Sequence, residues 1–144
     1  MKWKDISFEE KCSLLGEKGE KFVYSKLLKK YPKDNYIILD LHSFCEMDWV
    51  VIDKNKEEII EIYEVKTTTK DKKEFSAGSH LQLLVFQLQK IKKQIRKEFI
   101  PSFLYVLRAN NKFWDDGELD VIKEEIYNID EIEIELKNCM WKVK

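Results

Sequence analysis

The sequence predicts an α/β domain built around one mixed β-sheet, and three observations carry that reading. Short apolar runs at 36–41, 48–53 and 58–67 are separated by turn residues and read as three consecutive strands. Two longer stretches, 7–31 and 79–99, repeat apolar residues every three or four positions and read as helices. A further apolar run at 103–107 follows the second helix, and the order strand, helix, strand makes that last strand parallel to an earlier one.

At 144 residues the chain is long enough for a single domain with its own core, read as 1–144 with a core over about 17–107 and an extension over 108–144. A hydrophobic fraction of 44% fits a globular chain, and 37% charged residues is well above the usual share. The net charge of −1 excludes a partner held by an overall basic field, so any contact with nucleic acid needs a local patch. No run is long and apolar enough to span a membrane, and Met1-Lys2-Trp3-Lys4-Asp5 opens no signal peptide. The expectation is a cytoplasmic protein without a membrane partner. Cys12, Cys45 and Cys139 are scattered and odd in number, which excludes a disulfide framework, a zinc knuckle and a four-cysteine cluster. They read as small buried hydrophobes. His42 and His80 are too isolated for a zinc site.

Taken in order, Ser7 with Glu10 three residues on matches a capping box for the first helix. Gly16 and Gly19 loosen its middle. Phe22, Val23, Leu27 and Leu28 then form an apolar stripe among lysines, and the helix ends before Pro32. Glu20, within a turn of Val23 and Tyr24, falls at the margin of the buried face. Asp34-Asn35 turns into the first strand. Four consecutive apolar residues, 49–52, suggest a second strand covered on both faces. Lys54-Asn55-Lys56 turns the chain into the third, making a β-hairpin.

The third strand holds Glu64 and Lys66 two residues apart, on one face, with Tyr63 and Val65 on the other. Burying a carboxylate and an ammonium at the end of an apolar strand is costly. A metal-dependent hydrolase has a use for the pair; a surface ion pair is the plainer reading. The hairpin supplies a test. A three-residue loop pairs Asp53 with Glu57 and Asp48 with Ile62, putting Asp48 on the face of Glu64 and Lys66. A diagonal neighbour there lies roughly 7–8 Å away, near enough for two carboxylates to share one cation. An even loop puts Asp48 on the wrong face unless a bulge restores the parity.

Beyond the hairpin, 67–78 reads as a polar loop with Lys70, Lys72 and Lys73. Ser79 caps the second helix. Leu81, Leu84, Val85, Leu88, Ile91 and Ile95 make its apolar face, and Lys90, Lys93, Arg96 and Lys97 its basic one. Gln82 sits on the first turn, towards the strand ends. Residues 119–127 read as a helix or strand, and 132–136 as an alternating strand with one wet face, either an edge of the domain's own sheet or a place for another chain to pair.

The ordered features are a helical Glu20, a strand Asp48, Glu64-Val65-Lys66, a helix and a strand. They resemble the PD-(D/E)xK nuclease superfamily over about 17–107. Gly16-x-x-Gly19-Glu20 is similar to the glutamate helix of archaeal Holliday junction resolvases, and Glu64-Val65-Lys66-Thr67-Thr68 is similar to small restriction- and defence-associated nuclease domains. Two departures stand out: Met47 occupies the place of a frequent proline, and Glu46 competes with Asp48 for the acidic role. The resemblance implies a restriction endonuclease-like fold, a central mixed sheet in the order helix, three-stranded meander, helix, strand, with flanking helices. It implies Mg²⁺, or Mn²⁺ in its place, held by Asp48, Glu64 and the Val65 carbonyl, with Glu20 touching the ion directly or through water. Lys66 would then stand beside the attacking water and scissile phosphate, with Gln82 and Lys70 orienting the phosphate. The implied partner is DNA, and a junction-resolving version implies a two-fold homodimer. A binding module that keeps the fold without cleaving is the rival expectation.

Overall fold

The computed structural model describes residues 2–40, 47–78 and 80–144. Among the described residues three α-helices, α1 Phe8–Lys30, α2 His80–Gln94 and the short α3 Phe113–Asp116, accompany eight strands. These are β1 Tyr36–Leu39, β2 Trp49–Asp53, β3 Glu58–Thr68, β4 Glu74–Ser76, β5 Ser102–Ala109, β6 Val121–Asn128, β7 Ile132–Glu135 and β8 Met140–Val143. Five of them form a mixed sheet in the order β1-β2-β3-β5-β6. Only the β3–β5 pairing is parallel, as the intervening helix requires. The other three form a small antiparallel sheet in the order β4-β8-β7. The architecture is therefore α/β, with a second sheet that the sequence did not announce.

Ser7 caps α1 as its spacing predicts, its Oγ accepting the Glu10 N–H at 3.2 Å. Val23 and Leu27 of α1, with Tyr31 at its C-cap, cover one face of the main sheet, packing on Val51, Tyr63, Val65, Tyr105 and Leu107. The other face carries Val50, Ile62, Leu104 and Val106. It is closed by Leu83 and Phe86 of α2 together with Phe75, Ile132 and Trp141 of the small sheet. Strand β3 is thus buried on both sides, which is why its sequence is apolar at successive positions.

Several expectations change. Gly19 does not loosen α1. A Cβ there would fall 1.8 Å from Thr67 Oγ1 and 2.9 Å from Thr67 Cβ, so the glycine is what lets the helix lie against β3. Gly16 has nothing within 4 Å. The polar loop after β3 is shorter than expected, since Phe75 and Ala77 are buried and β4 pairs with β8. Residues 108–144 are not an appendage: β6 runs along β5, and Trp141 is fully buried in the core of the main sheet. The 119–127 stretch is a strand, and the alternating 132–136 stretch is an edge of the small sheet. Cys12 is exposed and Cys139 partly so, against the expectation of buried thiols. Leu41, His42, Cys45, Glu46 and the Ser79 cap lie outside the described residues. Among the described residues no helix is long and apolar enough to cross a membrane.

The largest correction concerns α2. Leu81, Leu84, Leu88, Ile91 and Ile95 are exposed, and the helix turns Gln82, Leu83, Phe86 and Gln89 inward. The expected basic face is tied to the domain instead: the Lys90 ammonium donates to the Ile132 carbonyl, and Lys93 pairs with Asp130. The physical reason is a narrow seat. The small sheet already covers much of that face, leaving room for two large side chains. Two glutamines fix the helix rotation, Gln82 through Glu64 and Gln89 Oε1 by accepting the Ile100 N–H at 3.1 Å. The helix ends at Gln94, not Phe99. Lys97 N–H reaches back to the Lys92 carbonyl and Arg96 N–H to the Lys93 carbonyl, with Arg96 at φ 55°. That is a Schellman closure made without glycine, so nothing in the composition marks it.

Candidate metal centre

The hairpin settles which face Asp48 takes, by a different route from the one expected. The loop between β2 and β3 holds four residues, 54–57, because Asp53 pairs with Glu58. Asp53 Oδ1 accepts the N–H groups of Asn55 at 2.9 Å and Lys56 at 3.2 Å, and Glu57 closes the turn at φ 55°. An even loop alone would turn Asp48 away. The register then slips between Val51 and Ile52: Ile52 faces Ile59, but Val51 faces Glu61, leaving Ile60 as a bulge. The pairing resumes as Val50 with Ile62 and Trp49 with Tyr63, and one further step brings Asp48 opposite Glu64. The bulge restores the parity.

Past Trp49 the β2 backbone leaves the ladder, and the Asp48 side chain takes over. Its Oδ2 accepts the Val65 N–H at 2.7 Å. In a strand a residue's N–H and C=O point the same way, so the Val65 carbonyl also faces the Asp48 side. Glu64 Oε1 accepts from Gln82 Nε2 at 3.5 Å and lies 3.7 Å from Lys66 Nζ. Lys66 Nζ in turn stands 5.1 Å over the Trp141 ring, a cation–π contact that helps hold the ammonium. Glu20 arrives from α1. The Trp49 indole N–H donates to the Glu20 carbonyl at 3.0 Å, Tyr24 packs on Trp49, and Gly19 permits the helix to come this close.

The electrostatics are those of crowded acids. Asp48 is 3% exposed and Glu64 2%. Burial, then the Asp48 charge and a hydrogen bond with Asp48, push Glu20 up to about 8, with Asp40 and Glu17 adding to it. Glu64 is raised well above the usual carboxylate range by burial and then by Asp48, against the lowering pull of Lys66. At neutral pH the cluster therefore retains protons that a bound cation would replace. Glu64 Oε2 is buried without a hydrogen-bond partner among the described residues. Among the described residues, no group of three or more His, Cys, Asp or Glu side chains is placed to hold a metal ion. The donor chemistry, all hard oxygen with one acid oxygen unsatisfied, fits a small divalent cation.

Glu20, Asp48, Glu64, Val65, Lys66 and Gln82 are thus brought together from α1, the start of β2, the end of β3 and the first turn of α2. Lys70 stands apart. Its N–H donates to Thr68 Oγ1, its carbonyl accepts from Arg108 Nη1 at 2.9 Å, and it lines a separate depression of about 260 Å³ with Arg108, Lys123 and Glu125. Trp49 and Trp141 were not read from the sequence as contributors, and Gly19 was read as part of the Glu20 motif but not as the close contact of α1 with β3. Trp49 had a signal, an amphipathic indole beside the acidic residue at a strand start. Gly19 had one in its place beside Glu20. Trp141, near the far end of the chain, had none. No protein-family model matches the chain, and no curated protein matches it in sequence.

Proposed function

We propose that this protein is a metal-dependent deoxyribonuclease that hydrolyses DNA phosphodiester bonds, in repair, recombination or defence. The observation that carries the proposal is the convergence of Asp48, Glu64 and Lys66 at the β2–β3 junction, with Glu20 pushed up to about 8 beside them. Helix, antiparallel meander, helix and parallel strand succeed one another as in the core of PD-(D/E)xK nucleases, which supports a restriction endonuclease-like reading of the sheet.

Asp48, Glu64, Glu20 and the Val65 carbonyl would hold Mg²⁺ or Mn²⁺, which when bound supplies Lewis-acid polarisation and a more acidic water. The chain's own groups do the rest. Glu20 and Glu64 would hold that ion as carboxylates, without the protons that burial otherwise favours on them. The Val65 N–H donates to Asp48 Oδ2 and so anchors that carboxylate at the start of β2. Gln82 holds Glu64 Oε1 from above the sheet. Lys66, part-exposed and steadied by Trp141, offers positive charge where a phosphate gains negative charge in the transition state. Glu20 and Lys66 form the rim by which a phosphodiester enters.

A second reading, a DNA-binding module that keeps the fold without cleaving, is favoured by the deep burial of Asp48 and Glu64. One experiment separates the two. Labelled four-way junction, duplex and single-stranded DNA are incubated with the protein, with and without Mg²⁺ or Mn²⁺. The proposal expects metal-dependent cutting of at least one substrate, reduced about 100-fold or more by Lys66→Ala and by Glu64→Gln. Binding without cutting by the unmodified protein in either metal supports the module.

A further inference from the structure

The exposed stripe of α2, continued one residue past its end by Ile95, whose N–H still donates to the Ile91 carbonyl, has the spacing of a helix–helix seam. Leu81, Leu84, Leu88, Ile91 and Ile95 recur at intervals of three, four, three and four residues, each 42–56% exposed. Two successive heptads of large aliphatic side chains in the open are not explained by the domain's own core, which α2 meets through Leu83 and Phe86. The stripe spans about 21 Å of helix. It leaves on the order of 400 Å² of apolar surface in one line, near the top of what a monomer tolerates.

We infer that this stripe is the interface of a two-fold homodimer in which α2 packs antiparallel against α2 of a second copy. Charge selects the arrangement. Residues 80–89 carry no Asp, Glu, Lys or Arg, whereas Lys90, Lys92, Lys93, Arg96 and Lys97 crowd the C-terminal end. Parallel pairing would press the two basic ends together. Antiparallel pairing lays each basic end beside the partner's uncharged half and opposes the helix dipoles. Shape agrees: an open concavity of about 460 Å³ lined by Lys92, Ile95, Lys97 and Glu98 lies at the far end of the stripe, where an antiparallel partner's Leu81 arrives. Of the residues beside the seam, Val85, Gln87 and Gln94 are uncharged, and Lys92 is the one charged flank, placed by an antiparallel partner beside its uncharged half. A stable dimer buries about 800 Å² per partner; the stripe supplies about half, and the flanking Val85, Gln87, Lys92 and Gln94 extend it. A lipid surface is the poorer occupant, because Lys90 and Lys93, which would meet headgroups, are tied inward to Ile132 and Asp130.

The test is the solution mass of the full chain by light scattering, with Leu88→Glu and Leu84→Glu as variants and circular dichroism confirming that each is folded. The wild type is expected at twice 17.4 kDa, and both variants at 17.4 kDa with unchanged helix signal. Orientation is read by disulfide cross-linking: mixed Leu81→Cys and Ile95→Cys chains should join to each other far more than either joins to itself. A wild-type monomer at 100 µM (about the top of an ordinary weak-dimer range) overturns the inference. So does a dimer that survives both glutamates, preferential Leu81→Cys self-linking, or a monomer that sediments with anionic vesicles and loses that property in Leu88→Glu.

Discussion

Replacing Gly19 by alanine puts a methyl group where Thr67 already stands. The added Cβ would lie 1.8 Å from Thr67 Oγ1, 2.9 Å from its Cβ and 3.3 Å from its Cγ2, well inside contact. The threonine is on β3 between part-exposed Lys66 and buried Thr68, and the strain falls on the α1–β3 packing. Overpacking of this severity costs about 3 kcal/mol. The better helix propensity of alanine returns about 1 kcal/mol. The net loss is about 2 kcal/mol, and for a chain of this length the melting temperature should fall by about 4–8 °C. Gly16→Ala is the internal control. With open space around it, it should gain up to about 1 kcal/mol and melt higher. Thr67→Ala in the Gly19→Ala background removes the two outer atoms and should recover part of the loss, a coupling of at least about 1 kcal/mol. The assay is thermal or urea unfolding, followed by circular dichroism, of the wild type, these three variants and Thr67→Ala alone. If Gly19→Ala melts at or above the wild type, α1 does not lie on β3 as described, and Glu20 is not held over the site.

Two further outcomes follow from the charged groups. Glu20 titrates at 4.5 when unperturbed and at about 8 in the fold, so folding takes up a proton in that window. The metal-free protein should therefore lose stability as pH rises from 4.5 to about 8, and Glu20→Gln should flatten that slope, as read from melting temperatures across the range. Arg108 donates to Glu125 at 2.6 Å through Nε and to the Lys70 carbonyl through Nη1, and both side chains are largely buried. Arg108→Ala should cost about 3 kcal/mol in urea unfolding, and Arg108→Lys should not restore it, because the ammonium cannot serve both partners in that geometry.

The element order was legible because it rests on local pattern: the Ser7 cap, the turn at Asp34-Asn35, and the strand–helix–strand unit that makes β5 parallel to β3. Asp48 was placed on the right face by an argument that allowed a bulge, although the loop itself was miscounted. A bulge at Ile60 cannot be seen in the run Ile59-Ile60-Glu61-Ile62, where no glycine or proline marks it. Periodicity showed that Leu81, Leu84, Leu88, Ile91 and Ile95 share a side of α2. It could not show which side docks, since that depends on a seat narrowed by β4 and β8 and on two glutamine hydrogen bonds. The small sheet joins 74–76 to 140–143, a pairing across most of the C-terminal half with no local signature. Lys66 over Trp141 was hidden for the same reason.

Manganese binding by the metal-free full chain, followed by the loss of the free-ion electron paramagnetic resonance signal, bears most directly on the acid cluster. The wild type should take up Mn²⁺ at neutral pH with release of protons from Glu20 and Glu64. Asp48→Asn and Glu64→Gln should each remain folded and bind at least about 10-fold more weakly. A wild type that leaves the free-ion signal unchanged, or binding that neither substitution weakens, would contradict a cation site formed by Asp48 and Glu64.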